Sequence, residues 1–95
     1  MNNQQIDYTD YYRLPCGMQL EDFIAWKRLD FFEGSALKYA WRAGRKDGEP
    51  EAKDMAKCEH YCAFMARDLG VATALVAGHI MVLREEARTW DGEDR

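Results

Sequence analysis

Three basic residues in the middle of the chain, Lys38, Arg42 and Arg45, are spaced four and three positions apart. In an α-helix this spacing projects all three side chains from one face. Positive charges in one stripe repel each other unless an anion or carboxylates share the site. Because the planar guanidinium of arginine can hold a phosphate through two hydrogen bonds and lysine adds a point charge, the stripe favours a phosphate-rich ligand.

The residues around this stripe extend the candidate site. Gly44 would let the chain turn and bring Lys46 to the same side, and nearby tyrosines could stack on a base. An alternative is that the stripe is a solvated helix face whose cations pair with Glu33, Asp47 and Glu49. The predicted ligand-binding residues are Lys38, Tyr39, Arg42, Arg45, Lys46, Tyr11 and Tyr12.

Charge is unevenly distributed along the chain. The whole sequence has 13 basic and 17 acidic residues, a net charge of −4. Residues 27–46 carry a net charge of +4, because six basic residues face two acidic ones there (Lys27, Arg28, Lys38, Arg42, Arg45 and Lys46 against Asp30 and Glu33). The overall sign excludes a globally basic nucleic-acid coat, and it argues against direct nucleic-acid binding through the basic helix.

The motifs of known phosphate-handling enzymes are missing. The sequence contains no G-x-x-x-x-G-K-[ST] loop of the kind that cradles phosphates in nucleotide kinases. A helical pyrophosphohydrolase would need paired acidic motifs for Mg²⁺, and only Glu51-x-x-Asp54 is present. We interpret these two acids as first-turn residues that complement a helix dipole. The sequence therefore favours binding over catalysis, leaves enzymatic activity open and predicts no cofactor.

The three cysteines, Cys16, Cys58 and Cys62, are more typical of small buried side chains than of a chemical site. Cys58 and Cys62 share a helix face, but His60 points away from it, so a zinc site would need ligands from elsewhere. We therefore predict no metal. The odd number of cysteines and the absence of a signal peptide at the start of the sequence predict reduced thiols and a cytoplasmic protein.

Hydrophobic spacing predicts an all-α fold of three to four helices in a single domain, residues 1–95. An irregular arm covers residues 1–17, and helices are expected over residues 18–29, 32–43, 51–69 and 71–89. Gly44 and Gly70 are expected to end the second and third helices. For residues 71–89 a hairpin pairing 72–76 with 79–83 remains an alternative, because β-branched residues are frequent there.

The segment 71–89 is apolar on nearly every side in its first half. Its apolar run, residues 71–83, is thirteen residues long and too short to span a membrane, which takes about 20 residues. Such a helix is buried in a core or in an interface, and in so small a protein we expect an interface between identical subunits. The acidic tail, residues 90–95, is expected to fray.

The stretch from Gly34 to Lys46, GSALKYAWRAGRK, resembles the signature of the SaV-like family of small phage proteins, approximately G-N-A-[IL]-K-Y-[IL]-x-R-A-G-R-K. The flanking segments 10–12, 21–24 and 51–69 also resemble the family pattern, so the likeness covers residues 10–69 and leaves a helical extension with an acidic tail at 70–95. Lys38, Tyr39, Arg42, Gly44, Arg45 and Lys46 match the motif, whereas Ser35 replaces its usual asparagine.

The resemblance implies a phage-encoded protein of the host cell cytoplasm with a role in nucleotide handling, because some longer relatives are described as nucleotide kinases. We expect a phage accessory protein that binds a nucleotide or another phosphate-bearing ligand, for sequestration or for nucleotide metabolism. The alternative is a counter-defence inhibitor, similar to an anti-CRISPR protein, that binds a host defence complex through its acidic surface and tail.

Overall fold

The computed structural model describes residues 11–46 and 48–93 and contains four α-helices in this part of the chain. They are α1 (Leu20–Lys27), α2 (Phe31–Arg42), α3 (Glu51–Leu69) and α4 (Thr73–Thr89). The only β-type pairing described is an isolated bridge between Arg13 and Gln19. The predicted all-α class is confirmed. The hairpin alternative for residues 71–89 is wrong, because α4 runs without a break.

Side-chain caps fix where the first two helices begin. The Gln19 backbone N–H donates to the Asp22 carboxylate at 2.9 Å at the start of α1. Asp30 accepts from the Glu33 backbone N–H at 2.8 Å, and the Asp30 N–H donates back to the Glu33 carboxylate. Each cap satisfies backbone groups that the first helical turn leaves without partners.

The ends of the helices are set by local backbone geometry. Arg28 adopts the left-handed conformation, with φ at 61°, and stops α1 two residues before the predicted end. Gly44, with φ at 80°, follows the end of α2, and Gly70, with φ at 74°, ends α3 as predicted. Glycine suits the last two positions because it has no Cβ to clash in this conformation.

The core lies where α2, α3 and α4 pack against one another. The central turns of α2 are almost fully enclosed, with Leu37 and Trp41 at 0% and 2% exposure. Each large apolar side chain buried in this way contributes roughly 1.5–3 kcal/mol to folding. The arm and all four helices supply the buried apolar residues, which are Leu14, Leu20, Phe23, Ala36, Leu37, Ala40, Trp41, Cys58, Cys62, Ala66, Val76, Ile80, Leu83 and Ala87.

Trp90 attaches the end of the chain to α1. Its ring stacks on Trp26 with 5.2 Å between centroids and meets Phe23 edge-on at 5.6 Å. The expectation of a frayed tail is therefore wrong at Trp90, because burying an indole outweighs the chain entropy that fraying would retain. Residues 94 and 95 lie outside the described residues.

The outer face of α4 stays apolar and exposed. Val76, Ile80, Leu83 and Ala87 point into the core, whereas Leu75 and Val82 are 68% and 57% exposed. Leu69, the last residue of α3, is also 69% exposed, and Ala66 takes the inward position in that turn. No described helix is both long and apolar enough to cross a membrane.

Candidate functional site

Arg42, the central residue of the predicted stripe, is held by a carboxylate from α3. Its Nη2 and Nε donate to the two Asp54 oxygens at 2.7 and 3.3 Å. The Arg42 side chain is 13% exposed and that of Asp54 is 1% exposed. The hydrogen bond to Asp54 is the main cause of a raised pKa for Arg42, so the guanidinium stays charged. Interpreting Asp54 as a simple first-turn acid is wrong, because it neutralises Arg42 across the loop between α2 and α3.

Tyr12 connects the arm to the same site. Nη1 of Arg42 donates to the Tyr12 hydroxyl at 3.2 Å. The ammonium of Lys38, one helical turn before Arg42, lies 5.6 Å from the centre of the Tyr12 ring. Tyr12, Lys38 and Arg42 therefore lie close together in the structure. The interaction between a cation and an aromatic face, as between Lys38 and Tyr12, contributes about 0.5–1 kcal/mol at an exposed site.

The ring of Tyr39 contacts basic side chains from both α2 and α3. The Arg42 guanidinium carbon lies 5.2 Å from its ring centre and the Lys57 ammonium lies 5.3 Å away. Tyr61 stacks on the same ring, 6.0 Å between centroids and 12° from parallel. Lys57 and Tyr61 were missed by the sequence analysis. A signal was present, because Asp54, Lys57 and Tyr61 recur at spacings of three and four and so share one face of α3.

The remaining basic residues of the predicted site point elsewhere. Nε of Arg45 donates to the Trp41 carbonyl oxygen at 2.7 Å, and its guanidinium covers the Trp41 ring at 4.4 Å. Lys46 pairs with Glu49 at 3.0 Å. The pKa of Glu49 falls to about 2, first because Lys53 and then because Lys46 donates to its carboxylate.

Among the described residues, neither Glu33 nor Glu49 pairs with Lys38, Arg42 or Arg45, as the solvated-face alternative would require. Glu49 pairs with Lys46 rather than with Lys38, Arg42 or Arg45. Glu33 caps α2 and contacts His79 at 3.1 Å. Asp47 lies outside the described residues. Tyr11 is half-buried in the short helical turn that precedes the bridge at Arg13.

A cleft of about 380 Å³ opens between α1, the first turns of α2 and Tyr12. Among the residues that the structure describes, the Lys38 ammonium at its edge contacts no carboxylate. Gly34 forms part of the floor, where a Cβ would come within 3.3 Å of the Ile24 side chain, so glycine permits the close approach of α1 and α2. The cleft is lined by Tyr12, Leu20, Glu21, Ile24, Leu29, Asp30, Phe31, Gly34, Ser35 and Lys38.

Cys58 and Cys62 are buried, as expected for small apolar side chains. Removal from water raises the pKa of Cys58 to about 12, and burial also raises the pKa of Cys62. A thiol is a nucleophile or metal ligand only as the thiolate, so neither side chain is activated. Within residues 11–46 and 48–93, no three His, Cys, Asp or Glu side chains are grouped in a way that could hold a metal ion.

No family model, curated protein or solved structure matches this chain. The site is therefore interpreted from its own geometry, and the likeness to the SaV-like signature remains an expectation.

Proposed function

We propose that the cleft between α1 and α2 binds a small phosphate-bearing ligand of mononucleotide size, with Lys38 as its principal anion contact. The observation that carries this proposal is the contrast between Lys38 and the other cations of the predicted site. Arg42 and Lys46 are paired with carboxylates, and Arg45 is folded onto Trp41. Among the described residues, Lys38 has only the Tyr12 ring.

The walls of the cleft suit a ligand with one charged end and one flat apolar part. Leu20, Ile24 and Leu29 line it with apolar surface, and the Tyr12 ring offers a stacking face near Lys38. A volume of about 380 Å³ falls within the usual range of small-molecule sites, roughly 300–1,000 Å³. Asp30 can accept hydrogen bonds from hydroxyl or amino groups of the ligand.

Arg42 acts in this proposal by holding the wall in place. Its hydrogen bond to the Tyr12 hydroxyl fixes the ring over which Lys38 lies, and Asp54 keeps the guanidinium oriented. A ring fixed before binding lowers the entropy cost of ordering a ligand against it. The cleft residues form no acid–base pair at a distance suited to proton transfer, so we favour binding, whether for sequestration or for nucleotide metabolism, over catalysis. Phage origin and residence in the host cytoplasm are parts of the same proposal.

Ligand binding is tested by thermal unfolding with a nucleoside monophosphate, the matching nucleoside and inorganic phosphate. Binding at a hundred times Kd stabilises the folded state by about 2.7 kcal/mol. We expect the nucleoside monophosphate to raise Tm in the wild type, and Lys38→Gln to weaken its affinity at least tenfold. Lys53→Gln, which removes one positive charge from the exposed surface of α3, is the matched control. No shift at millimolar ligand, or an equal loss in both variants, would refute the proposal.

A second candidate function, protein–protein inhibition of a host defence complex, is favoured by a different surface. A groove of about 500 Å³ runs between the end of α3 and the start of α4, with the exposed side chains Phe64, Leu69 and Leu75 in its wall. Its rim carries Asp30, Glu33 and Asp68, with His79 as the fourth polar residue. Apolar walls with an acidic rim fit a basic amphipathic segment of a partner.

This second candidate predicts that a fluorescent amphipathic peptide rich in lysine binds in the groove. We expect Asp68→Lys to weaken binding at least tenfold, and the salt dependence of binding to flatten. Equal binding of the wild type and the variant would contradict this candidate. Self-association through residues 71–89, expected from the sequence, is a separate proposal that does not depend on either ligand.

A further inference from the structure

The outer face of α4 carries an unpartnered apolar seam. Leu75, Gly78 and Val82 follow one another at spacings of three and four, and Val71 lies four residues before Leu75, just ahead of the helix. This is the spacing of the contact positions in a pair of packed helices. Val71, Leu75 and Val82 are 42%, 68% and 57% exposed, so the seam is large and in contact with solvent in the monomer. The next residue on the seam, Glu85, is its first charged one.

Gly78, at the middle of the seam, has no explanation within the monomer. Its φ is not among the positive values, so the backbone does not require glycine. A Cβ placed on it would meet nothing within 4 Å, so packing does not require glycine either. Glycine is the poorest helix former after proline, so it weakens α4 at this position. It does allow the backbone of another helix to approach closely.

The start of α4 also lacks the acidic side chain that the first turn of each other described helix contains. Its first turn contains no acidic residue, and Ala72 provides no side-chain cap. The first turns of α1, α2 and α3 each contain an acid. Glu85 follows Gly78 by seven residues, about 10.5 Å along the helix axis, and Thr73, the first residue of α4, precedes it by five, about 7.5 Å. A helix packed antiparallel about Gly78 would therefore bring a Glu85 carboxylate to this positive end.

We propose that a second copy of this chain covers the seam, with the two α4 helices antiparallel and related by a two-fold axis at Gly78. In this arrangement the two Gly78 backbones meet, and Leu75 packs against the partner's Val82. The partner's Glu85 then lies near the start of α4. The seam is self-complementary because its large residues flank the glycine at nearly equal distances, and a two-fold contact requires this property. Leu75 also lines the acid-rimmed groove, so the dimer would compete with any partner bound there.

The orientation is tested by disulfide cross-linking of full-length protein in a Cys16→Ser background, which removes the exposed native thiol. We expect Gly78→Cys to cross-link to itself, and Leu75→Cys to cross-link to Val82→Cys when the two are mixed. Leu75→Cys alone should give at least tenfold less dimer than the mixture. Efficient self-linking of Leu75→Cys would indicate parallel helices and overturn the proposal.

Association itself is measured by sedimentation velocity and native mass spectrometry over a range of concentrations. We expect a dimer whose Kd rises at least tenfold in Val82→Glu, with helical circular dichroism unchanged. Ala63→Glu, which adds the same charge to an exposed position of α3, should leave Kd within twofold. Gly78→Ala separates a role of Gly78 in the dimer contact from its effect on the stability of α4. The substitution should weaken the dimer while raising the Tm of the dilute monomer. A wild type that is monomeric at all concentrations would overturn the proposal and leave the seam to a different protein.

Discussion

Replacing Asp54 with alanine tests whether the buried ion pair, rather than a free basic stripe, organises the site. The change removes both hydrogen bonds from Arg42 to Asp54 and leaves a guanidinium whose side chain is only 13% exposed. Breaking a buried ion pair by removing one partner costs about 3–5 kcal/mol, because an uncompensated charge remains in the interior. Arg42 keeps the Tyr12 hydroxyl and some solvent. We therefore expect the lower end of this range, about 3 kcal/mol.

The free energy of unfolding is measured by urea denaturation at pH 7, followed by far-ultraviolet circular dichroism. Domains of this size are stable by roughly 5–15 kcal/mol, so a loss of about 3 kcal/mol is large but leaves a measurable folded state. A change of 1 kcal/mol moves Tm by about 4–8 °C in a small domain, so Tm should fall by about 12–24 °C. Glu51→Ala, which removes an exposed acid from the same helical turn, is the control and should cost about 0.3–1 kcal/mol.

A double variant separates charge from packing. Arg42→Met combined with Asp54→Leu replaces the pair with apolar side chains of similar length, and such replacements are often neutral or stabilising. We expect the double variant to be more stable than Asp54→Ala by about 2 kcal/mol or more. If Asp54→Ala costs no more than Glu51→Ala, Asp54 is a simple first-turn acid after all. The cost of leaving Arg42 unpaired would then be negligible, contrary to its burial.

Four further predictions concern the thiols, the chain end and the contact between α1 and α2. Of the three cysteines, only the exposed Cys16 should react quickly with a thiol reagent in the native protein. The buried Cys58 and Cys62 should react only at the rate of unfolding. Three equally fast thiols would contradict the burial of these two side chains. Because folding raises the pKa of Cys58 from 9.0 to about 12, its contribution to stability is complete below pH 9 and is lost as pH rises towards 12. Cys58→Ala should flatten the fall in unfolding free energy over that window. Trp90→Ala should lower the free energy of unfolding, measured by urea denaturation, by about 2–3 kcal/mol, because the Trp90 ring stacks on α1. A loss below about 0.5 kcal/mol would show that the tail is frayed. Gly34→Val should cost about 1–3 kcal/mol by pushing α1 from α2, and an unchanged Tm would show that the contact yields easily.

The positions of the helices could be predicted largely from local signals. Residues 51–69 lie between Pro50 and Gly70, and the observed helix has the same bounds. The helix predicted over residues 18–29 ends early because Arg28 adopts a conformation that non-glycine residues seldom take. Its sequence gives no sign of this, since Leu29 continues the apolar pattern. The apolar run from residue 71 was ambiguous for the opposite reason, because apolar residues on every side remove the periodicity that separates helix from strand.

The candidate site could be predicted only in part, because spacing reports which side chains share a face and not what that face meets. Lys38 and Arg42 were expected on one side of α2, and both contact Tyr12 in the structure. The partner of Arg42 was missed because Asp54 is twelve residues away on another helix. Its position in the first turn of α3 had a sufficient local explanation, so nothing in the sequence required a distant partner. Burial of the carboxylate at 1% exposure identifies its role.

The net charge of +4 in residues 27–46 overstates the charge that this segment offers to a ligand. Counting only the part of the chain that the structure describes, three of its six basic residues pair with carboxylates outside the segment: Lys27 contacts Glu86, Arg42 contacts Asp54 and Lys46 contacts Glu49. Leaving out the three neutralised cations reduces the net charge of the segment from +4 to about +1. A ligand would therefore meet a few localised charges rather than a broad basic patch. The other cations of the segment are Arg28, Lys38 and Arg45, and specificity depends on which of them faces a ligand. Lys38 lies over the Tyr12 ring at the mouth of the α1–α2 cleft, and for this reason its substitution is the most informative test of the proposed function.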